Sequence, residues 1–296
     1  MPRQPSANPA LRGILYACAS FALVTGMQAL GKLLTGQHNV IEIAFYRNLF
    51  SLVPCVIYIA ASRRYDLIAT QMPGTLLLRV IAGTIGLVLI FAAAQALPLS
   101  NATVIFFTTT LLIPVLAHFF LKERIGPHRW AAILFGFCGV LLVTQPTAQV
   151  TMVGIALAFT GAVMHAIVQI LLRAMRTEPA FTVTFYFFLG GTILPGVFMP
   201  FFAHMPTLHN LLILLGIGVM GGLAQYFITS AYQYAQASLI APFNYTGLIW
   251  ASLFDILLWG HFPAGNVYAG AAIIIAAQAY ILHRERLKSQ TAEQAI

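Results

Sequence analysis

Residues 75–97, TLLLRVIAGTIGLVLIFAAAQAL, and residues 101–121, NATVIFFTTTLLIPVLAHFFL, are two apolar runs separated only by Pro98-Leu99-Ser100. Each is long enough to cross a hydrocarbon core about 30 Å thick as a helix. Both are bounded by polar or Pro/Gly punctuation, and the same pattern repeats along the chain. Spans are expected at 12–34, 40–61, 75–97, 101–121, 129–146, 152–173, 181–203, 210–232, 239–259 and 266–283. The separation of the eighth from the ninth is the least sharp, because Gln233–Ser238 is a weak polar break. The first run exceeds a signal-peptide core and a second span follows it directly, so it reads as a retained helix.

Composition agrees. The 296 residues contain 15 Lys or Arg and 7 Asp or Glu, so 7% are charged while 60% are hydrophobic. A soluble domain carries about 25% charged residues, and so few charges cannot cover a water-exposed surface or keep a chain disordered. The net charge of +8 does not point to nucleic acid, because the cations sit in short loops and termini rather than on one exposed face. Cys18, Cys55 and Cys138 all lie in apolar runs, with no disulfide or metal-ligand spacing. Gly26-Met27-Gln28-Ala29-Leu30-Gly31-Lys32 resembles the start of a phosphate loop, but Leu33 stands where Ser or Thr is needed and no strand precedes it. Nucleotide binding and ATP-driven pumping are therefore not expected, and neither is a cofactor or a metal.

The basic residues orient the spans. With the N-terminus inside, Arg3 and Arg12, Arg63 and Arg64, Lys122, Arg124 and Arg129, Arg173 and Arg176, and Arg284, Arg286 and Lys288 all fall on the inner side. The outer loops hold no Lys or Arg, as the positive-inside rule requires for both termini in the cytoplasm.

The two halves, 1–147 and 148–296, resemble each other. Gly13-Ile14 and Ala17 match Gly154-Ile155 and Ala158, and the same register pairs Gln28 with Gln169 and Lys32 with Arg173. Phe45-Tyr46 matches Phe185-Tyr186; further on, Gly83, Gln95, Ser100 and Thr108 match Gly221, Gln233, Ser238 and Thr246. Five spans is an odd number, so the second copy lies upside down. Inverted repeats can exchange inward-open and outward-open shapes around a midplane site.

The run Ala96-Leu97-Pro98 to Ala102-Thr103, then Leu121-Lys122-Glu123-Arg124, Arg129-Trp130 and Gly136 to Val140, resembles the fourth-to-fifth helix pattern of the EamA family, within the drug/metabolite transporter superfamily. The second copy, Ala241-Pro242-Phe243-Asn244-Tyr245-Thr246 through Trp250 and Gly270 to His283-Arg284-Glu285, is similar to members related to S-adenosylmethionine and riboflavin carriers. The resemblance implies an all-α polytopic membrane protein of ten transmembrane helices in two inverted five-helix repeats. The first, third and fourth helices of each half would line its central cavity. Asn244 stands where related sequences often carry Arg, and His261 follows Gly260 where Glu is common.

Polar residues within spans are the natural site candidates, because burying them in lipid is costly. His165, Gln169 and Gln28, with Asn244 and Tyr245, are candidate substrate contacts, and Phe106, Phe107, Tyr226, Phe243 and Trp250 could supply ring faces. Each also has a bland alternative as core or belt packing. Lys32 either complements a helix C-terminus or joins Glu42 in an ion pair across the first hairpin. Glu42, Arg47, Lys32 and Asp255 are candidates for coupling or gating. Asp255 is either a proton or cation acceptor or an interfacial residue near Trp259.

The expected function is an inner-membrane secondary transporter for a small polar or amphiphilic metabolite, coupled to protons or uncoupled, with export favoured over uptake. Zwitterionic or neutral cargo fits the mixture of amide, phenol and imidazole. The rivals are a passive channel and a non-transporting membrane protein; an enzyme would need a midplane nucleophile or acid pair, and none stands out.

Overall fold

The computed structural model describes residues 9–122, 126–145, 149–175, 177–202, 204–234 and 241–293. Among these there is no β-strand. The helices are α1 (Pro9–Leu33), α2 (Val40–Ser62), α3 (Pro73–Ala96), α4 (Leu99–Phe106), α5 (Thr108–Leu121), α6 (Pro127–Val143), α7 (Met152–Ala174), α8 (Ala180–Phe202), α9 (Leu208–Tyr234), α10 (Thr246–Trp259) and α11 (Gly265–Glu293). A 3-10 turn, Tyr65–Ile68, joins α2 to α3, and a second, Ala241–Tyr245, leads into α10. Among the described residues, seven helical stretches are long and apolar enough to cross a membrane: Leu11–Leu33, Val40–Ser62, Pro73–Ala96, Leu99–Phe120, Met152–Leu172, Ala180–Phe202 and Leu208–Ile228. Pro127–Val143 and Gly265–Ile281 are shorter apolar helices. The chain is thus a multi-pass, all-helical membrane protein. The polar break expected between the eighth and ninth spans falls mostly at 235–240, outside the described residues.

In a medium with no water to bond, every backbone group must be satisfied internally, which is why the long apolar runs become helices. The starts are marked by side chains. Asn39 and Glu42 form a capping box at α2, and the Thr151 hydroxyl caps α7. Proline at the first turn opens α3 and α6. Lipid-facing side chains such as Leu15, Ile57, Leu141, Val197 and Ile249 remain exposed, as expected when the solvent is hydrocarbon.

Two expected spans change helical geometry locally, the first within one membrane-length stretch, Leu99–Phe120. The run over 101–121 breaks between α4 and α5 at Phe107, whose N–H is shared between the carbonyls of Thr103 and Val104, both at 3.1 Å. The Thr110 hydroxyl donates back to the Phe107 carbonyl at 2.7 Å. The run over 239–259 contains the 3-10 turn Ala241–Tyr245 before α10, and there the Thr246 hydroxyl donates to the Phe243 carbonyl at 2.7 Å. A threonine hydroxyl thus satisfies a carbonyl at each break, allowing a change of helical geometry at membrane depth.

The principal packing pairs are α1 with α9, α3 with α7, α2 with α8, and α6 with α11. All join the first half to the second. The two largest cores do the same. One gathers Met27, Ile43, Phe91, Phe187, Phe188 and Leu214 from α1–α3, α8 and α9; the other gathers Ile105, Leu111, Val143, Ala158, Leu248 and Ile274 from α4–α7, α10 and α11. α6 and α11 approach backbone to backbone: a Cβ on Gly139 would sit 2.7 Å from the Gly270 carbonyl, and one on Gly270 would sit 2.6 Å from the Gly139 carbonyl. Small residues at such positions let helix backbones approach.

Candidate functional site

The two helix breaks meet. Tyr245 lies 138 positions after Phe107, and α10 starts at Thr246, 138 positions after the start of α5 at Thr108. The Phe107 and Tyr245 rings make an edge contact, with centroids 4.9 Å apart at 90°. Beside them the His165 ring packs against Phe106 at 5.1 Å and its Nε2 lies 3.2 Å from Gln169 Nε2. His165 and Gln169 are one turn apart on α7, so helical geometry alone puts them on one face. The structure therefore sets Phe106 against His165, which neighbours Gln169, and Phe107 against Tyr245. Gln28 on α1 and Trp250 on α10 are half-buried.

A groove of about 750 Å³ adjoins this region between α10 and α11. Its polar lining includes Asn244, Tyr245, Thr110, Ser252 and Gln278, set among apolar residues such as Ile249, Leu253 and Ile275. Asn244 Oδ1, Ser252 Oγ and Gln278 Nε2 are buried without a hydrogen-bond partner among the described residues. Unpaired buried polar groups are costly, so a largely apolar groove with these few polar groups suits an amphiphilic occupant that supplies partners. Ser252, Gln278 and Thr110 carry no role in the sequence reading; single hydroxyls and amides in apolar helices give no signal of the direction they face.

Other candidates have different surroundings. Tyr226 is 62% exposed, and the rotation of α9 turns it to the bundle exterior rather than toward the ring faces around Tyr245. Lys32 and Glu42 do not form the ion pair considered across the first hairpin. Lys32 donates to the Leu97 carbonyl, sits 4.9 Å over the Trp259 ring and lies within electrostatic reach of Asp255. Glu42, fully buried, accepts from His38 Nδ1 at 3.3 Å, the Asn39 N–H at 2.9 Å and the His204 N–H at 2.7 Å. Glu42 thus closes the α1–α2 turn against the α8–α9 loop. The sequence separation hid this, because His204 lies 162 positions away.

Asp255 is buried in the bundle, 1% exposed. Its carboxylate accepts from the Leu99 N–H at 2.9 Å, the Ser100 N–H at 2.8 Å and the Ser100 hydroxyl at 2.7 Å. These are first-turn donors of α4, whose N-cap position is Pro98 and has no side-chain acceptor. Asp255 on α10 caps them across the bundle, and the helix dipole favours a negative charge there. Glu178 does the same for the approach to α3, accepting from the Gln71 N–H at 2.7 Å and the Met72 N–H at 3.0 Å.

Arg47 is 5% exposed and bonds to its neighbour Asn48 rather than to Glu42. Arg79 on α3, also 5% exposed, has no role in the sequence reading. Its signal was available, since a lone arginine inside an apolar span is a site candidate by default.

Local changes of helical geometry that face each other within a multi-pass helical bundle are a feature of membrane transporters. The chain belongs to the EamA-like transporter family, whose model matches residues 11–145 and again 152–282. It is 30% identical over 223 residues to a riboflavin transporter of Rhizobium johnstonii, covering 73% of this chain and 72% of that protein. A riboflavin transporter of Vibrio cholerae is 28% identical, covering 94% of both chains. An S-adenosylmethionine uptake transporter of Rickettsia bellii is 26% identical over 93% of this chain and 94% of its own. One solved crystal structure superposes with a TM-score of 0.67 at 18% identity, covering 93% of this chain and 98% of the other, which shows the shared fold. This is a membrane metabolite transporter and not an enzyme.

Proposed function

We propose that the chain is a secondary carrier of the bacterial inner membrane that moves a small amphiphilic, ring-bearing metabolite by alternating access between two inverted five-helix halves. The observation that carries this is the pair of helix breaks at Phe107 and Tyr245, in one repeat register and in contact. Taking α4 with α5 as one span and residues 241–259 as another gives ten spans, five to each half. Exchange of the halves maps the α1–α9 contact onto α7–α3 and leaves α2–α8 and α6–α11 as self-related pairs, which supports an inverted repeat. Both termini in the cytoplasm follow from the basic inner loops.

The cargo meets His165, Gln169, Gln28, Asn244 and Tyr245, with Phe106 and Trp250 as ring faces. Relatives named for riboflavin and for S-adenosylmethionine uptake support a heteroaromatic cargo and inward movement, in place of the export that the superfamily resemblance favours. Counterflow of labelled riboflavin and S-adenosylmethionine in proteoliposomes, with and without a pH gradient, tests the reading. Saturable counterflow supports a carrier, and its response to the gradient decides proton coupling. Non-saturating flux would make the protein a channel.

A further inference from the structure

Arg47 on α2 and Arg79 on α3 converge on one ring. Their guanidinium carbons lie 5.4 and 4.1 Å from the Phe187 centroid on α8, and Arg47 is also 5.2 Å from Phe188. Cation–π contact of this kind offsets part of the cost of burial. The rest is uncompensated. Arg47 donates from Nη1 to Asn48 Oδ1 at 2.8 Å and from Nη2 to the Gly221 carbonyl at 3.4 Å, while Arg47 Nε and Arg79 Nε and Nη1 are buried with no partner among the described residues.

No described carboxylate is available to either arginine. Among the described residues the ion pairs are His38–Glu42 and Arg64–Asp66. Glu178 and Asp255 are committed to backbone donors. An unpaired cation in a low-dielectric interior is strongly disfavoured, so two neighbouring ones point to a partner of opposite charge. Glycine lets the guanidinium groups pack directly against the helix backbones. A Cβ on Gly221 would lie 2.6 Å from Arg47 Nε, and one on Gly83 would lie 3.3 Å from Arg79 Nη1. Gly83 and Gly221 are the same position of the two repeats, 138 residues apart, so each half sets a bare glycine against an arginine.

We propose that Arg47 and Arg79 form an anion-binding site inside the bundle that receives a carboxylate or phosphate group carried by the transported metabolite, an assignment that rests on the carrier reading above. The planar forks of two arginines match the oxygens of either group. Of the two counterflow cargos above, S-adenosylmethionine, which carries a carboxylate, fits it, and riboflavin, which has no carboxylate or phosphate, does not.

The test uses the full chain in phosphatidylcholine nanodiscs, with inorganic phosphate and benzoate as probes against chloride at equal ionic strength. A saturable rise in the unfolding midpoint with either probe is expected, weakened at least tenfold in apparent Kd by Arg79→Gln and by Arg47→Gln. Arg79→Lys, which keeps the charge but loses the fork, should bind with intermediate affinity and covers the case in which Arg79→Gln fails to fold. No saturable effect in the wild type, or one unchanged in the variants, overturns the site. A phosphate effect that disappears in phosphatidylglycerol discs assigns the arginines to lipid headgroups and overturns the cargo assignment. Wild-type counterflow without any anion effect defeats the anion site alone. Anion binding lost in Arg79→Gln, with no counterflow of any cargo, defeats the carrier and leaves the site.

Discussion

Replacing Asp255 by Ala removes the acceptor for three buried donors at the start of α4: the Leu99 and Ser100 amides and the Ser100 hydroxyl. Hydrogen bonds to a charged group contribute about 1.5–3 kcal/mol each, and an orphaned buried donor costs about 1–3 kcal/mol. Against this, the carboxylate itself no longer has to be desolvated, so the net loss is about 3–5 kcal/mol, the range for breaking a buried charged contact from one side. Asp255→Asn keeps one acceptor oxygen but turns an amide NH2 toward donors, and about 2–3 kcal/mol is expected. At about 2–4 °C per kcal/mol for a chain of this size, the alanine variant should unfold at least 6 °C below the wild type in detergent, followed by tryptophan fluorescence. Counterflow per folded molecule should fall as α4 loses its anchor on α10. If Asp255→Ala unfolds within 2 °C of wild type but abolishes counterflow, the carboxylate serves the transported species or its coupling ion, and the capping argument is refuted.

Gly270→Val should drive α11 off α6, because even a Cβ would clash with a Val143 methyl and sit 2.6 Å from the Gly139 carbonyl; a loss of about 1–3 kcal/mol, with reduced monodisperse yield on size exclusion, is expected. Glu178→Ala removes the acceptor of the Gln71 amide and one of the two acceptors of the Met72 amide, the other being the Thr70 hydroxyl, and should cost about 1–2 kcal/mol while speeding proteolysis within residues 63–72. Tyr245→Phe keeps the ring that touches Phe107 and removes only the hydroxyl in the groove, so it should shift the midpoint little and raise the half-saturating cargo concentration in counterflow. Separate expression of 1–147 and 148–296 should give aggregated material from each, since both large cores draw on both halves; a monodisperse, helical single half would contradict the interleaved packing.

The sequence by itself determined the class of molecule. Scarce charge and long apolar runs make a multi-pass helical membrane protein, because the cost of unpaired polar groups in lipid leaves little choice. It also held the repeat register, visible in pairs such as Gly83 with Gly221 and Thr108 with Thr246. Local pairs one turn apart, His165 with Gln169, were legible for the same reason: helix periodicity fixes them. Only tertiary structure decided what the charged residues do. Asp255 meets Ser100 across 155 positions, Arg47 reaches Gly221 across 174, and Arg79 joins Arg47 through a phenylalanine on a third helix. Tyr226, placed by type among the cargo-facing rings, was turned outward by the rotation of α9. Such partners depend on how helices are rotated and apposed, which is set by packing summed over whole interfaces rather than by any short stretch of chain.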